Sequence, residues 1–206
     1  MAAPNTNVPF GLMPLASLTG VSESPMNRYY IPSTDNSAYY IGSPVKLTNT
    51  ADTNGVPGVI VCAGTDIILG PVVGVEIAGV NPNAVSMVGS SLALEQVSIP
   101  ATKTKAYYVY VADDPLMMFA LQADATTTNQ TAANANNNCS LTITAPSPST
   151  LPNSATVASS STFATTNTLN IKLMGLIQTP GAAFGAYSVY KCKINKHQYA
   201  DQIAGV

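Results

Sequence analysis

His197 is the one histidine of the chain, and imidazole is the side chain whose ordinary pKa suits proton transfer near neutral pH. A Ser-His-Asp relay would have to form around Asn195-Lys196-His197-Gln198-Tyr199, yet no serine occupies a Gly-x-Ser-x-Gly elbow. His197 therefore reads as structural or solvated. Asp113-Asp114, with Asp124, is the best carboxylate constellation. Neighbours in a strand point to opposite faces, so one Asp is expected to pair with Lys103 or Lys105 and the other to cap a turn. Calcium would need more oxygen ligands at closer spacing. Asp52-Thr53-Asn54-Gly55 is turn chemistry without the remaining ligands of an EF-hand loop. Cys62, Cys139 and Cys192 are dispersed and odd in number, so free, partly buried thiols are expected rather than a zinc site or a disulfide framework. Gly70, Gly74 and Gly79 sit among β-branched residues with no Gly-x-Gly-x-x-Gly opening a helix. Close backbone approach or a strand bend is their expected use. The residues call for no catalytic group, no metal and no cofactor, and the chain is expected not to be an enzyme.

Composition points toward surfaces instead. Charged residues make up 9% of the 206 positions, against about 25% in ordinary soluble domains. Burial of much of the surface in an assembly accounts for that shortage; a Thr/Asn-rich solvated surface is the alternative. Net charge is −2, and the nearest thing to a basic cluster is Lys191, Lys193 and Lys196, so nucleic acid is not an expected partner. Met1 to Phe10 shows no secretory signal, and no apolar run is long enough for a membrane-spanning helix. The glycosylation patterns at Asn129-Gln130-Thr131 and Asn138-Cys139-Ser140 then read as accidental. The pairs Tyr29-Tyr30, Tyr39-Tyr40 and Tyr107-Tyr108 are more informative. Within a strand each pair places one ring on either face. One ring can fill the core while the other meets solvent or a partner, where tyrosine combines rigid area with a hydrogen-bonding tip.

Strands must position these groups. Arg28–Ile31, Ala38–Ile41, Pro44–Thr48, Val59–Cys62, Ile67–Gly70, Val72–Ile77 and Tyr107–Ala112 are rich in β-branched and aromatic residues, and Gly, Pro or Asn punctuates the sequence around them. Spacing of this kind argues for a sandwich or barrel. Pro115–Gln122 is apolar throughout and could be one helical turn with a strand, or a buried strand. Leu169–Met174 and Tyr187–Ile194 alternate, with Ser188, Tyr190, Cys192 and Ile194 on the expected buried face. No amphipathic helix of useful length is visible.

Residues 1–25 read as an extended arm, interrupted by Pro4, Pro9, Pro14 and Pro25. Its apolar residues, Phe10, Leu12, Met13, Leu15 and Leu18, could lie along the parent core or along a neighbouring subunit. From Ala125 to Ile171 there is no charged residue, and 27 of the 47 positions are Thr, Ser or Asn. Such a segment cannot form its own core, but its side chains can satisfy backbone groups in turns and narrow strands. A short helix over Ala132–Asn138 is conceivable, limited by the Asn run. The reading is all-β, a jelly roll or β-sandwich/barrel. It has the arm over 1–25, a single β domain over 26–206, and a neutral polar insertion over 125–168.

Several stretches together carry a resemblance. They are Asn7-Val8-Pro9-Phe10-Gly11-Leu12-Met13-Pro14, Tyr29-Tyr30-Ile31-Pro32-Ser33-Thr34, Ile41-Gly42-Ser43-Pro44-Val45-Lys46-Leu47 and Val73-Gly74-Val75. Tyr108–Pro115, Phe119–Gln122, Leu173–Ile177, Gly185–Tyr187 and Lys193–Gln198 continue the pattern. In these the chain resembles the capsid cement, or head decoration, proteins of tailed bacteriophages; the likeness weakens over Ala125 to Thr168. Met13 stands where a basic residue is expected in that family, and Lys196 where Asn is. The resemblance implies a β-sandwich or jelly-roll module that forms a small homo-oligomer, a dimer or trimer, on the outer capsid surface of the virion. It implies synthesis in the bacterial host cytoplasm and the major capsid protein as partner, bridged across neighbouring capsomers to stabilise the DNA-filled head. No nucleic acid and no membrane are expected as partners.

The contact residues expected on this reading are Phe10, Leu12, Met13, Leu15, Tyr29, Tyr30, Tyr39, Tyr40, Tyr107 and Tyr108. Deletion of residues 1–20 is expected to weaken docking while the body stays folded. The competing readings are another virion structural protein (a minor tail or portal-adjacent one) and a receptor- or carbohydrate-binding surface protein.

Overall fold

The computed structural model describes residues 5–20, 26–77, 98–147 and 153–200. Gly79, both ends of the expected arm and the middle of the neutral insertion lie outside them. The strands are β1 (Met13–Ser17), β2 (Met26–Ile31), β3 (Tyr39–Tyr40), β4 (Pro44–Ala51), β5 (Pro57–Val61), β6 (Gly70–Ile77) and β7 (Ser98–Ile99). They continue as β8 (Tyr107–Ala112), β9 (Met117–Gln122), β10 (Asn138–Cys139), β11 (Leu141–Thr142), β12 (Val157–Ala158), β13 (Ile171–Leu176) and β14 (Val189–Ile194). The fold is all-β. The only helical pieces among the described residues are 3₁₀ turns at Ala132–Asn134 and Ser160–Thr162, and neither is long enough to cross a membrane.

Alternation in β14 orients the first sheet. Tyr190, Cys192 and Ile194 are buried while Val189, Lys191 and Lys193 are half-buried on the other face, as the period of two requires. The sheet order is β1-β9-β14-β13-β10. Its inner face carries Phe119, Leu121, Ile171, Leu173 and Tyr190 into one apolar cluster. Pro115–Gln122 resolves into a turn and β9. Met117 N donates to Asp114 O at 3.0 Å to close that turn, and the apolar run behind it is a buried strand.

A second group of strands follows the order β2-β5-β4-β6-β8, and β8 pairs back onto β2, so the pairings form a ring. Four of its contacts are antiparallel. The fifth is a parallel contact of β2 with β5 at Tyr30 and Gly58. Tyr29, Ile31, Val45, Val59, Leu69, Val72, Val109 and Val111 fill its interior. The β4–β5 turn is the Asp52-Thr53-Asn54-Gly55 sequence. Asp52 Oδ1 accepts from the N–H groups of Asn54 and Val56 at 2.8 Å each, and Gly55 takes φ 83°. Ile67–Gly70 is not the separate strand expected from its composition. Ile68 makes one isolated bridge, to His197, and Gly70 begins β6.

The described part of the arm, residues 5–20, lies on its parent chain. β1 is an edge strand paired with β9, Met13 opposite Ala120 and Ser17 opposite Met117. Leu12 is fully buried in the first cluster. Burial of a side chain of that size stabilises by about 2 kcal/mol. Upstream, Asn5 Nδ2 donates to Ala183 O and Ala186 O, and Gln122 Nε2 donates to Thr6 O at 2.8 Å. Deletion of 1–20 would therefore remove a sheet strand and part of the core, so the expectation that the body tolerates it is corrected.

The described parts of the neutral insertion are likewise built into the body. Cys139, Leu141, Ala158 and Phe163 join the first cluster, and the two-residue strands β10, β11 and β12 supply its backbone pairing. Ser160 Oγ donates to Asp124 Oδ1 at 2.5 Å, and Ser160 N donates to Oδ2 at 3.1 Å. Of Ala132–Asn138, only Ala132–Asn134 is helical, as a single 3₁₀ turn.

Candidate interaction surface

The groups that could do chemistry are engaged in holding the fold. His197 is 1% exposed. Its Nδ1 accepts from Tyr199 N at 3.0 Å, and its Nε2 makes no well-formed hydrogen bond among the described residues. Burial pushes the imidazole down to about 4, although the charges of Asp113 and Asp114 pull the other way. Asp113 does not meet a lysine. It accepts from Tyr29 Oη at 2.5 Å and from Asn27 Nδ2 at 2.9 and 3.1 Å. Tyr29 Oη is also 3.0 Å from Tyr199 Oη. Burial, then the hydrogen bond to Asp113, raises the Tyr29 hydroxyl far above its usual range. Asp114 caps the turn at Leu116 N, 2.8 Å, which is the role expected of one member of the pair.

Lys103 is buried and pairs with Asp35 at 2.9 Å, not with the Asp113-Asp114 pair. Its ammonium also donates to the carbonyls of Asp35 and Ser37. The three cysteines are free and buried, and burial raises each thiol. Among the described residues no group of three or more His, Cys, Asp or Glu could hold a metal ion.

The outer face of the ring gathers different chemistry. In register, Arg28 lies opposite Tyr110, and Tyr30 opposite Tyr108. Tyr108 in turn lies opposite Glu76. Arg28 Nε and Nη2 bind the Glu76 carboxylate at 3.1 and 2.9 Å in a two-point fork. The guanidinium lies 3.5 Å from the centre of the Tyr108 ring, a cation–π arrangement. Tyr30 and Tyr108 rings are 5.8 Å apart. Tyr110 Oη donates to Glu76 Oε2 at 3.0 Å, and Tyr108 Oη to Asp52 Oδ2 at 2.6 Å. The hydrogen bond to Asp52 raises the Tyr108 hydroxyl, and it holds the Asp52 carboxyl below its usual value. Tyr108 and Glu76 are themselves only 8% exposed each, so Arg28 and the rings of Tyr30 and Tyr110 are the accessible part of this cluster, held in place over them. Preorganised Tyr and Arg of this kind lose little side-chain entropy on docking.

The expected contact residues divide between core and surface. Tyr29 faces the ring interior while Tyr30 is half-buried on its outer face, so that pair splits as the strand period demands. Tyr107 is half-buried against the ring interior; Tyr108 lies on the opposite side beneath Arg28 and is buried, at 8% exposure. Tyr39 and Tyr40 are both buried, at 0% and 6% exposure. β3 is only two residues long and both of its faces are covered, so neither ring offers contact area. Leu12 is also wholly internal, and Phe10 is half-buried. Met13 and Leu15 are each 42% exposed, beside Leu18 at 46%. Arg28 and Tyr110 were missed as surface residues, and Glu76 as the buried carboxylate that joins them. Their alternation in three separate strands was visible, but the pairing register that joins them was not.

A groove of about 500 Å³ opens between Asn7–Pro9 and Thr144–Ser147. Its lining has no charged side chain, and Asn153 and Ala155 close one wall. No protein-family model matches the chain, and no curated protein or solved structure matches it either.

Proposed function

We propose that this protein is a capsid cement protein of a tailed bacteriophage. It binds the outer surface of the major capsid protein shell as a small homo-oligomer and bridges neighbouring capsomers. The finer description of the fold, a jelly roll or sandwich/barrel module, belongs to the same proposal. The observation that carries it is the outer face of the ring, where Arg28 is locked over Tyr108 and onto Glu76 beside Tyr30 and Tyr110. The described carboxylates, meanwhile, are committed to turns and internal pairs. Such a chain offers fixed, shape-matched area rather than a reactive group. Weak contacts of this size become firm when repeated around a capsomer junction, because each bound contact raises the effective concentration of the next.

The test is an icosahedrally averaged density map of particles from a host carrying this gene, together with copy number by quantitative mass spectrometry. Regular density on the outer shell at high copy number is expected. A handful of copies confined to the tail or portal vertex would replace the proposal with the minor-component reading.

A further inference from the structure

The first sheet has an outer face that the ring does not cover. Tyr190, Cys192 and Ile194 of β14 point inward, so Lys191 and Lys193 point outward with the half-buried Val189. Lys172 of β13 is directly opposite Lys193. Lys193 and Lys191 lie opposite Met118 and Ala120 of β9, and Met13 of β1 lies opposite Ala120 on the far side. Segment Asn5–Val8 lies over the Gln122 end of this face. On the face Ala120 is buried, and the lysines and Met118 are half-buried.

Two ammonium groups directly opposite each other in a sheet repel. Nothing described within the chain neutralises them. The ion pairs among the described residues are Arg28–Glu76, Lys46–Asp66 and Lys103–Asp35. The remaining described carboxylates are held elsewhere: Asp52 by Tyr108, Asp113 by Tyr29, Asp114 by Leu116 N, and Asp124 by Ser160. Among the described residues Lys172 finds only a carbonyl, that of Asn136 at 2.5 Å. The chain is net acidic, yet three of the five lysines with no ion pair among the described residues lie on one side of one sheet.

We propose that this face docks a carboxylate-rich protein surface. The three lysines supply the charge complement, and Met13 and Met118 supply apolar contact between them. Methionine fills irregular gaps at such surfaces, and lysine stems cover apolar neighbours while their heads reach outward. A protein suits the face better than nucleic acid. It carries no arginine and no exposed aromatic ring on which a base could stack. Placing the acidic surface on the shell protein rests on the capsid reading; the chemistry of the face does not.

The experiment is fluorescence polarisation of labelled poly-L-glutamate titrated with the full chain in low salt, beside a labelled oligothymidylate of matched charge. Binding of the polyglutamate is expected, weakening as salt rises. The triple variant Lys172→Gln, Lys191→Gln, Lys193→Gln should bind it about tenfold more weakly, while Lys105→Gln stays within about twofold. Thermal melts confirm that both variants fold. Equal binding by the triple variant, no binding by the parent chain, or a preference for the oligothymidylate overturns the proposal. These outcomes do not touch the particle map. A chain found on shells with an inert lysine face would leave the capsid reading standing and remove this one.

Discussion

Gly11 and Gly42 cross backbone to backbone. A Cβ on Gly11 would lie 2.4 Å from Gly42 O, and a Cβ on Gly42 would lie 2.4 Å from Phe10 O. Leu12 N donates to Gly42 O at 3.0 Å across the same crossing. Both glycines have positive φ, 74° and 83°. This crossing seats the arm against the start of β4, and both features require the absence of a side chain.

Gly11→Ala should therefore be among the most damaging single substitutions. Left-handed backbone with a Cβ costs about 1–2 kcal/mol, and a clash with backbone rather than a flexible side chain adds about as much again. A loss of roughly 3 kcal/mol is expected in urea denaturation. Gly20→Ala is the control. It has φ 86° with nothing within 4 Å of the new Cβ, so only the strain of about 1 kcal/mol applies. Equal losses at the two sites would mean that the crossing is not tight in solution.

Removal of residues 1–20 should destabilise the whole chain rather than trim a tail. It strips β1 from β9 and removes Leu12, which has no exposed area. A loss above about 3 kcal/mol is expected, from the missing side chain and the cavity it leaves. The double variant Met13→Ser, Leu15→Ser alters outward-facing side chains and should change stability by less than about 1 kcal/mol. Surface variants of this kind, not truncations, are the ones that can probe docking. A truncated chain melting at the parental temperature would show that β1 contributes nothing to the sheet.

His197 should make stability depend on pH in one window. Its folded value is about 4 against 6.5 for the free side chain. Between those values the unfolded chain binds the proton and the folded chain does not, so stability rises with pH through this window. Above 6.5 the contribution is complete, and it is lost as pH falls through 4. From pH 7.5 to pH 4.5 the loss is roughly 2.5 kcal/mol. His197→Asn keeps an acceptor for Tyr199 N but cannot titrate, so its stability should fall less over the same range by about that amount. Parallel curves for the two proteins would place the imidazole in solvent.

What the sequence made legible was local. Alternation in Tyr187–Ile194 assigned Tyr190, Cys192 and Ile194 to the interior, and the structure buries all three. Asp52-Thr53-Asn54-Gly55 announced its turn because Asx chemistry and a glycine at positive φ act within four residues. The failures were long-range. One of Asp113 and Asp114 was matched to Lys103 or Lys105 by charge, but Asp114 caps a turn and Asp113 is reached by Tyr29 and Asn27 across the β2–β8 pairing. Tyr39-Tyr40 was read as a strand with one wet face, yet cover from elsewhere in the chain buries both rings. The outer face of the ring depends on three strands meeting in one register. A hydrophobic pattern sets which face each residue takes and leaves open which strand lies alongside.

The three thiols give a last measurement that bears on the whole fold. Cys139 and Cys192 have no exposed area and Cys62 only 4%, and burial raises all three well above an ordinary thiol. A disulfide reagent attacks thiolate, so reaction requires the chain to open first. In the native protein at pH 8, labelling with an aromatic disulfide should run roughly a thousandfold slower than in denaturant, where all three react. Cys62, just past the end of β5 and the least deeply buried of the three, should label ahead of the two in the first sheet. Gly11→Ala should speed all three together if opening is global. Fast labelling of Cys139 alone would instead mean that the neutral insertion detaches by itself, and that the contacts of β10 with β13 are too weak to hold it in the body.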